Sequence, residues 1–249
     1  MSDDQPDFGP LAAIAREVAA EWGVELGEPF ALARYSFAAP AGDDAVLKVI
    51  PERHWESDHE ADALGHWGGD GAARLLRHDR ERRAFLLERA RPGTDISGLP
   101  DGDATAIAVD VGRRLWRPAA GLFTRVADQL PRWLDEGEGE LRAKAEELLA
   151  GMELRHEVLV HGDFHHHNIL AFARGHLAID PQPFLGEPEY DVVPFLWNPL
   201  PIGLRPQLFE ARLAAFVAAG LDEQRIRAWM VIRGSYLLPE QAEGLLALV

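Results

Sequence analysis

The sequence predicts an α+β fold with two lobes, in which a small antiparallel sheet with a packed helix precedes a larger, mainly helical lobe. Within the first 90 residues, short apolar stretches bounded by turn residues are typical of strands. Farther along the chain, apolar residues recur mostly at helical spacing. The breaker Arg91-Pro92-Gly93 separates the two patterns. We therefore expect an N-terminal lobe over residues 1–90 and a C-terminal lobe over residues 91–249.

Composition narrows the class of protein. The 249 residues, 47% of them hydrophobic, are enough for two packed lobes, and the absence of cysteine excludes disulfides and thiolate metal sites. No apolar stretch approaches the roughly 20 residues that span a bilayer. The acidic start Met1–Gln5 lacks the apolar core of a signal peptide. We therefore expect a soluble, cytoplasmic protein without a membrane partner.

The formal net charge of −16 arises from 41 acidic and 25 basic residues. Such a charge repels nucleic acids and disfavours them as partners. It suits a cationic small molecule, although an acidic surface also simply keeps a protein in solution. Charge alone therefore does not identify a substrate.

In the N-terminal lobe, apolar spacing predicts two helices, and Pro40–Asp44 predicts a turn between two strands. The predicted elements are helices 11–22 and 52–67 and strands 30–39, 45–50, 74–78 and 83–88. In the C-terminal lobe, residues 130–140 predict an acidic loop, and short strands near residues 163 and 180 interrupt the helices. The predicted helices cover 103–117, 141–154, 207–219, 222–233 and 239–248.

Lys48 lies inside the apolar strand Ala45–Ile50. Burial of an unpaired ammonium group is costly, so the sequence predicts an anionic partner, such as a nucleotide phosphate together with a carboxylate. The following helix offers Glu60 as the preferred carboxylate and Glu56 as the second choice, since the two lie on one face. The alternatives are an edge-strand lysine that points to solvent and glutamates that are only solvated helix charges.

The segment His161–Asn168 reads HGDFHHHN and lies between two apolar runs, and Asp180 follows a third. Asp163 and Asn168 have the spacing Asp-x-x-x-x-Asn of the catalytic loop of kinases. Asp163 would orient an acceptor hydroxyl and accept its proton. Asn168 and Asp180 would bind the Mg²⁺ ions that bridge the phosphates of ATP. The sequence thus predicts a phosphoryl-transfer site.

Other residues near this segment admit more than one role. The adjacent histidines His165–His167 cannot easily converge on one metal ion, which favours support of the catalytic loop over a zinc site. Glu187 and Glu189 are candidates for contact with a cationic substrate, and Asp191 for helix capping or loop support. Trp197 is a candidate for the same substrate pocket, although a tryptophan after a proline is more often part of a core.

The segment Tyr35–Pro40 stands where kinases carry a loop that covers the phosphates. It contains no glycine, and the pattern G-x-G-x-x-G is absent from it. Backbone amides without glycine approach a phosphate less closely. This segment is therefore the main departure from a kinase pattern.

These stretches together resemble the aminoglycoside phosphotransferases, and within them the aminoglycoside/hydroxyurea antibiotic-resistance kinases, which include streptomycin phosphotransferases. The resemblance runs from about residue 45 to residue 199 and includes the helix of Glu60. This sequence departs from the family pattern at Gln182, because relatives are expected to have a lysine near this position. The matching stretches are AVLKVIP at 45–51, GAARLLRHD at 71–79, FLLERARPG at 85–93, LVHGDFHHHNIL at 159–170, LAIDPQPFLGEPEYD at 177–191 and WNP at 197–199.

The resemblance implies a two-lobed, protein-kinase-like fold and transfer of the γ-phosphoryl group of ATP to a hydroxyl. It implies that adenine binds backbone groups of the hinge Glu88-Arg89-Ala90, between the lobes. It also implies that Lys48 contacts the ATP phosphates and pairs with Glu60, while Asp163 is the base. The implied acceptor is an aminoglycoside such as streptomycin.

Three other functions are weighed against this one. A metabolite kinase of the same fold would act on a sugar, an amino alcohol or a fructosamine without a role in resistance. A nucleotide-binding pseudokinase would fit the missing glycine loop, but the joint presence of Lys48, Asp163, Asn168 and Asp180 argues against it. A histidine-rich metalloenzyme is disfavoured by the histidine spacing.

Overall fold

The computed structural model describes residues 9–31, 36–52, 58–199 and 206–249. The chain divides into two compact units, which consist of Met1–Thr94 with Leu170–Ile179, and of Asp95–Ile169 with Asp180–Val249. The boundary predicted from sequence lies after residue 90, and it leaves residues 170–179 in the second lobe. No helix in the described ranges is both long and apolar enough to cross a bilayer.

The first unit contains a four-stranded antiparallel sheet. Its elements are α1 (Gly9–Trp22), β1 (Phe37–Ala41), β2 (Ala45–Val49), α2 (Glu60–Trp67), β3 (Leu75–Asp79) and β4 (Ala84–Glu88). The strand order is β1-β2-β4-β3. Helix α1 packs on the sheet, where Ala15 and Val18 meet Leu47 and Val49 in one apolar cluster. Alternation along β2 therefore sends Lys48 to the opposite face.

Two predicted boundaries in this unit were wrong. The strand expected at residues 30–39 begins at Phe37 and continues to Ala41, so Pro40 lies in β1 and not in the turn. Pro40 fits there because β1 is an edge strand of this sheet, where a missing amide proton is tolerated, and its carbonyl still accepts a hydrogen bond from Gly27 N at 2.8 Å. The helix expected from residue 52 begins at Glu60, and Glu56 lies outside the described residues.

The second unit is mainly helical. A three-stranded sheet contains, in this order, β5 (Arg117–Pro118), β6 (Val158–Val160) and β9 (Phe184–Gly186), while β7 (Ile169–Phe172) and β8 (Gly175–Ala178) pair with each other. The remaining elements in chain order are α3 (Asp101–Leu115), β5, α4 (Val126–Leu134), α5 (Gly139–Ala150), β6, β7, β8, β9, α6 (Pro188–Asp191), α7 (Val193–Trp197), α8 (Pro206–Ala218), α9 (Glu223–Leu237) and α10 (Ala242–Leu246).

The hairpin of β7 and β8 is grouped with the first unit through its backbone hydrogen bonds. Ala73 N donates to Ala178 O at 2.9 Å, and Ala171 N donates to Thr94 O at 2.9 Å. Both outer edges of the hairpin are thus paired with segments of the first unit. Such long-range pairing is not visible in the sequence of the hairpin itself.

The acidic loop predicted from residue 130 was wrong at its start, because helix α4 continues to Leu134. Val126, Leu130, Trp133 and Leu134 are buried at the spacing of one helix face. Helix α9 is enclosed along its second half, where every residue from Ala228 to Ser235 is buried. A helix that is buried all round lies in the core of its unit.

Candidate functional site

Lys48 and Glu60 form a buried ion pair in the first unit. The Nζ atom of Lys48 lies 2.7 Å from each carboxylate oxygen of Glu60. Lys48 is 7% exposed and Glu60 is fully buried. The alternative of a solvent-facing lysine was therefore wrong, as was that of a solvated Glu60. The two short contacts hold the ammonium group in place. Removal of either partner would be costly, because it would leave a buried charge alone.

The predicted hinge residues Glu88 and Ala90 lie at the last position of β4 and two positions beyond it. The Glu88 carboxylate accepts a hydrogen bond from Arg74 N at 2.7 Å and also binds Arg174. Its side chain is therefore occupied within the unit, as is its amide nitrogen, which donates to Arg74 O at 3.0 Å. Within the described ranges, the amide nitrogen of Ala90 donates to no carbonyl.

In the second unit, Asp191 holds the backbone of the segment that precedes Asp163. Its Oδ2 accepts from His161 N at 2.9 Å, and its Oδ1 accepts from Gly162 N at 2.7 Å. Trp116 Nε1 also donates to this carboxylate at 2.9 Å. The expected role of Asp191 in loop support agrees with these contacts. A carboxylate that accepts two consecutive amides fixes the orientation of the peptide between them.

Gly162 is required by its surroundings. Its φ is +81°, and a Cβ atom at this position would lie 1.9 Å from the carbonyl oxygen of Gln182. The same two strands are joined by a hydrogen bond from Gln182 N to His161 O at 2.8 Å. The close approach holds the segment after Asp180 directly against the one before Asp163.

Asn168 binds Asp163 in two ways. Its Nδ2 donates to the main-chain oxygen of Asp163 at 2.9 Å and to Oδ2 at 3.0 Å. Asn168 is buried, whereas the side chain of Asp163 is 35% exposed. Because the amide nitrogen of Asn168 is turned to Asp163, the amide oxygen is left to face another ligand.

The histidines around Asp163 stabilise its ionised form. His165 Nδ1 accepts from His167 N at 3.2 Å, so in the neutral ring Nε2 carries the proton, and it lies 3.4 Å from Asp163 Oδ2. Burial would raise the pKa of Asp163, but the hydrogen bond and charge of His165, with the charges of His161 and Arg233, outweigh burial and lower it. Asp163 is therefore a carboxylate at neutral pH.

The three adjacent histidines point to different partners. His167 Nδ1 lies 2.8 Å from Asp95 Oδ2, while His165 faces Asp163. The ring of His166 is stacked on Phe195 with 4.0 Å between ring centres. Among the residues described, no group of three or more histidine and acidic side chains is arranged to hold a metal ion. These directions favour the structural role over the zinc site.

Asp180 is exposed and has a φ of +59°. This left-handed conformation is uncommon outside glycine, and aspartate is among the residues that tolerate it best. The unusual backbone turns the chain sharply between β8 and the segment that packs on Gly162. Asp163, Asn168 and Asp180 all belong to the second unit.

Glu187 and Glu189 do not face a cavity. Glu187 is 2% exposed and binds Arg225, with the nearest atoms 2.6 Å apart, and also Trp229 Nε1. Burial raises the pKa of Glu187, although these donors oppose the shift. Glu189 is buried as well and accepts from Asp222 N at 3.1 Å. Both carboxylates are thus used inside the unit, which argues against the predicted contact with a substrate.

A cavity of about 350 Å³ opens beside Asp163, within the size range of small-ligand sites. Trp197 lines it, as expected for the substrate pocket, although its side chain is largely buried. The other lining residues combine apolar and polar side chains: Pro194, Asn198, Pro199, Arg233, Leu237, Leu238, Glu240 and Gln241. Five of them come from the second half of α9 and the turn after it, where the sequence showed no motif.

Sequence reasoning missed two buried arginines. Arg233 on α9 donates to Gly162 O at 3.0 Å, directly before Asp163. Arg212 on α8 donates to Phe195 O at 2.9 Å and to Asp101 Oδ1 at 2.8 Å, and so holds the end of α7 that carries Trp197. The sequence did contain a signal for both arginines. An arginine within an apolar run, like Lys48, needs partners for its charge when it is buried.

Comparison with known proteins identifies the family of this chain. The model of the aminoglycoside/hydroxyurea antibiotic resistance kinase family matches residues 31–237. A hydroxyurea phosphotransferase from Kitasatospora aureofaciens is 33% identical over 245 residues, which cover 90% of this chain and 71% of that protein. A streptomycin 3''-kinase from Klebsiella pneumoniae is 31% identical over 207 residues, which cover 75% of this chain and 76% of that protein.

A solved structure supports the fold. A thermostable mutant of the aminoglycoside phosphotransferase APH(4)-Ia, in a ternary complex with ADP and hygromycin B, aligns with a TM-score of 0.60. It is 19% identical, and the alignment covers 93% of this chain and 92% of that chain. The predicted protein-kinase-like α+β fold is thereby confirmed. Since the family match spans most of the sequence, this chain belongs to the aminoglycoside/hydroxyurea antibiotic resistance kinase family and is a small-molecule phosphotransferase.

Proposed function

We propose that the protein transfers the γ-phosphoryl group of ATP to a hydroxyl of a small molecule in a Mg²⁺-dependent reaction. The observation that carries this proposal is the pair of Asp163 and Asn168 beside a cavity. Asn168 occupies Oδ2 of Asp163 at 3.0 Å, which leaves the other carboxylate oxygen for an acceptor hydroxyl. Phosphoryl transfer depends mainly on such positioning and on charge stabilisation.

Asp163 would act first by orientation. A carboxylate with a lowered pKa is a weak base, so it holds the acceptor hydroxyl by a hydrogen bond before any proton moves. The hydroxyl becomes far more acidic as its oxygen bonds to phosphorus, and Asp163 then accepts the proton. His165 and Asn168 would keep the carboxylate in one rotamer throughout.

Nucleotide binding is assigned to the first unit. We infer that Lys48 contacts the ATP phosphates while Glu60 fixes its position, and that backbone atoms of Glu88 and Ala90 bind adenine. The buried ion pair with its 2.7 Å contacts supports the first inference. The APH(4)-Ia structure, solved with ADP, supports the use of an adenine nucleotide in this fold.

Asn168 and Asp180 are suited to hold Mg²⁺. Both offer oxygen atoms, which Mg²⁺ prefers, and Asn168 Nδ2 is already engaged by Asp163. Two protein ligands are enough, because Mg²⁺ in kinases is usually completed by water and substrate phosphates. When bound, the metal neutralises charge that develops on the phosphates.

The acceptor is proposed to be an aminoglycoside-type antibiotic such as streptomycin. The net charge of −16, the carboxylate of Glu240 at the cavity and the streptomycin 3''-kinase relative support a cationic, polyhydroxylated molecule. Hydroxyurea is a second candidate, favoured by the 33% identical hydroxyurea phosphotransferase.

The test is an assay of ADP release with streptomycin, other aminoglycosides, hydroxyurea, sugars and amino alcohols. Asp163→Asn should lower the rate by about 100- to 10,000-fold, as expected for loss of a general base, while ATP binding remains measurable. Unchanged turnover in this variant would refute the mechanism. Turnover of only a sugar or amino alcohol would favour the metabolite kinase, and absence of both ATP binding and turnover would favour the pseudokinase.

A further inference from the structure

Arg233 is a buried cation without a direct carboxylate partner in the described part of the chain. It is 6% exposed. Its Nη1 donates to Tyr190 O at 3.2 Å and its Nη2 to Gly162 O at 3.0 Å. Its guanidinium carbon lies 4.2 Å from the centre of the Tyr190 ring. Burial of a charge at such a position is costly, and a neutral side chain would fill the space at lower cost.

One donor of Arg233, the Nη2 group, binds the backbone directly before Asp163. Asp191 accepts the amide of Gly162 at 2.7 Å on one side of this residue, and Arg233 binds its carbonyl at 3.0 Å on the other. The peptide groups on the two sides of Gly162 are thus each held by a side chain, which restricts rotation about the backbone of this residue. The backbone that leads into Asp163 is therefore held by two side chains of opposite charge.

The helix that carries Arg233 also builds the wall of the cavity. Leu237 lies four residues later on α9 and so projects from the same face. Both residues line the cavity together with Asp163. One rigid helix thus sets the position of the acceptor wall and, through Gly162, the position of the carboxylate.

We propose that Arg233 is a positioning residue, which sets Asp163 at the distance from the acceptor wall that phosphoryl transfer requires. The inference rests on the proposed function. Misplacement of a reacting group by about 1 Å can cost about 100-fold in rate. Loss of Arg233 should therefore impair transfer to the acceptor far more than nucleotide binding.

The experiment compares Arg233→Met and Arg233→Lys with wild type. Three quantities are measured: kcat for acceptor phosphorylation, KM for ATP, and the slow hydrolysis of ATP without acceptor. For Arg233→Met we expect a kcat lower by about 100-fold and a KM for ATP within about threefold of wild type. Hydrolysis should fall much less, because water needs no alignment with the acceptor wall. Arg233→Lys, which can still donate to one carbonyl, should recover part of the transfer rate.

The matched control is Arg227→Met on the same helix. Arg227 is paired at the surface with Glu210 and Glu223, each 2.9 Å away, so its loss should leave transfer close to wild type. The ratio of transfer to hydrolysis is decisive because it does not depend on the folded fraction. If Arg233→Met does not fold, the ratio is measured for Arg233→Lys, where we expect a fall of at least about threefold.

An unchanged ratio in both Arg233 variants would overturn the inference, since a merely structural role lowers both activities equally. A wild-type enzyme that transfers to no acceptor, despite measurable ATP binding, would instead refute the proposed function and the inference with it. The two failures are thereby told apart.

Discussion

His166 is the most enclosed of the three adjacent histidines. Its side chain is 2% exposed, and within the described residues neither ring nitrogen has a hydrogen-bond partner. Burial, followed by the positive charge of Arg212, lowers the pKa of His166 from 6.5 to about 4. The ring is therefore neutral in the folded state at pH 7, and its protonation opposes folding.

We expect the free energy of unfolding to decline as the pH falls from 6.5 to 4. The unfolded chain binds a proton at His166 in this window, whereas the folded chain does not. The stability that comes from keeping His166 neutral is therefore fully present above pH 6.5 and is lost gradually as the pH falls towards 4. The contribution amounts to about 3 kcal/mol, at 1.36 kcal/mol for each pKa unit. Urea unfolding of His166→Phe across this range should give a flatter dependence than wild type. The exposed His156, replaced by Phe, is the control, and equal slopes in all three proteins would contradict the expectation.

If the acceptor is cationic, as proposed, Glu240 is expected to contribute to its recognition. It is exposed and lines the cavity beside Asp163, so it can attract a cation without the cost of burial. Glu240→Gln should raise KM for streptomycin about two- to fivefold, the range of an exposed ion pair, and less at high salt. KM for the neutral hydroxyurea should not change. Glu243→Gln, nearby but outside the cavity lining, is the control. An equal effect on both acceptors would exclude an electrostatic role.

The segment between β6 and Asp163 depends on a residue without a side chain, Gly162. Gly162→Ala would bring a Cβ atom to 1.9 Å from Gln182 O and also strain a φ of +81°. We expect a loss of several kcal/mol in the free energy of unfolding, together with loss of phosphoryl transfer. Gly121 has a φ of +96° but nothing within 4 Å of an added Cβ. Gly121→Ala therefore isolates the backbone strain, and its cost should be about 1 kcal/mol. Similar losses of stability in the two variants would show that backbone strain alone, and not the contact with Gln182 O, accounts for the effect of Gly162→Ala.

The elements that the sequence predicts best are those whose partners are local. The short apolar stretch around Lys48, next to a turn signal, was enough to predict β2, and short spacing was enough to relate Asp163 to Asn168. Glu187 could not be assigned in this way, because its partner Arg225 is 38 residues distant and on another helix. Arg233 was missed for the same reason, since its contact with Gly162 spans 71 residues. Local sequence patterns therefore predict which side chains take part in the proposed chemistry. The residues that hold those side chains in place are determined by tertiary packing and are not visible in a local pattern.

Across the whole molecule, lysine is almost absent. The chain has 25 basic residues, of which only Lys48 and Lys144 are lysines. Lys144 lies on α5, with its Nζ 3.0 Å from Glu147 at the surface. Arginine serves nearly every other ion pair, which is consistent with its stronger bidentate binding of carboxylates. Lys48 is thus an exception to the use of arginine in this chain. Its ammonium group is a compact charge, which suits contact with a phosphate.

This composition allows a direct test of the nucleotide site. An acyl phosphate of ATP gives its acyl group to a nearby amine, which forms an amide and releases the nucleotide. If Lys48 contacts the ATP phosphates, this probe should acylate Lys48, and ATP at ten times its Kd should reduce the label to about one tenth by occupancy. Labelling of Lys144, read by peptide mass spectrometry in the same sample, should not respond to ATP. Lys48→Arg should lose the protected label and Lys144→Arg should keep it. Acylation of Lys48 that ATP leaves unchanged would remove this lysine from the nucleotide site, because occupancy by ATP must exclude a probe that binds there.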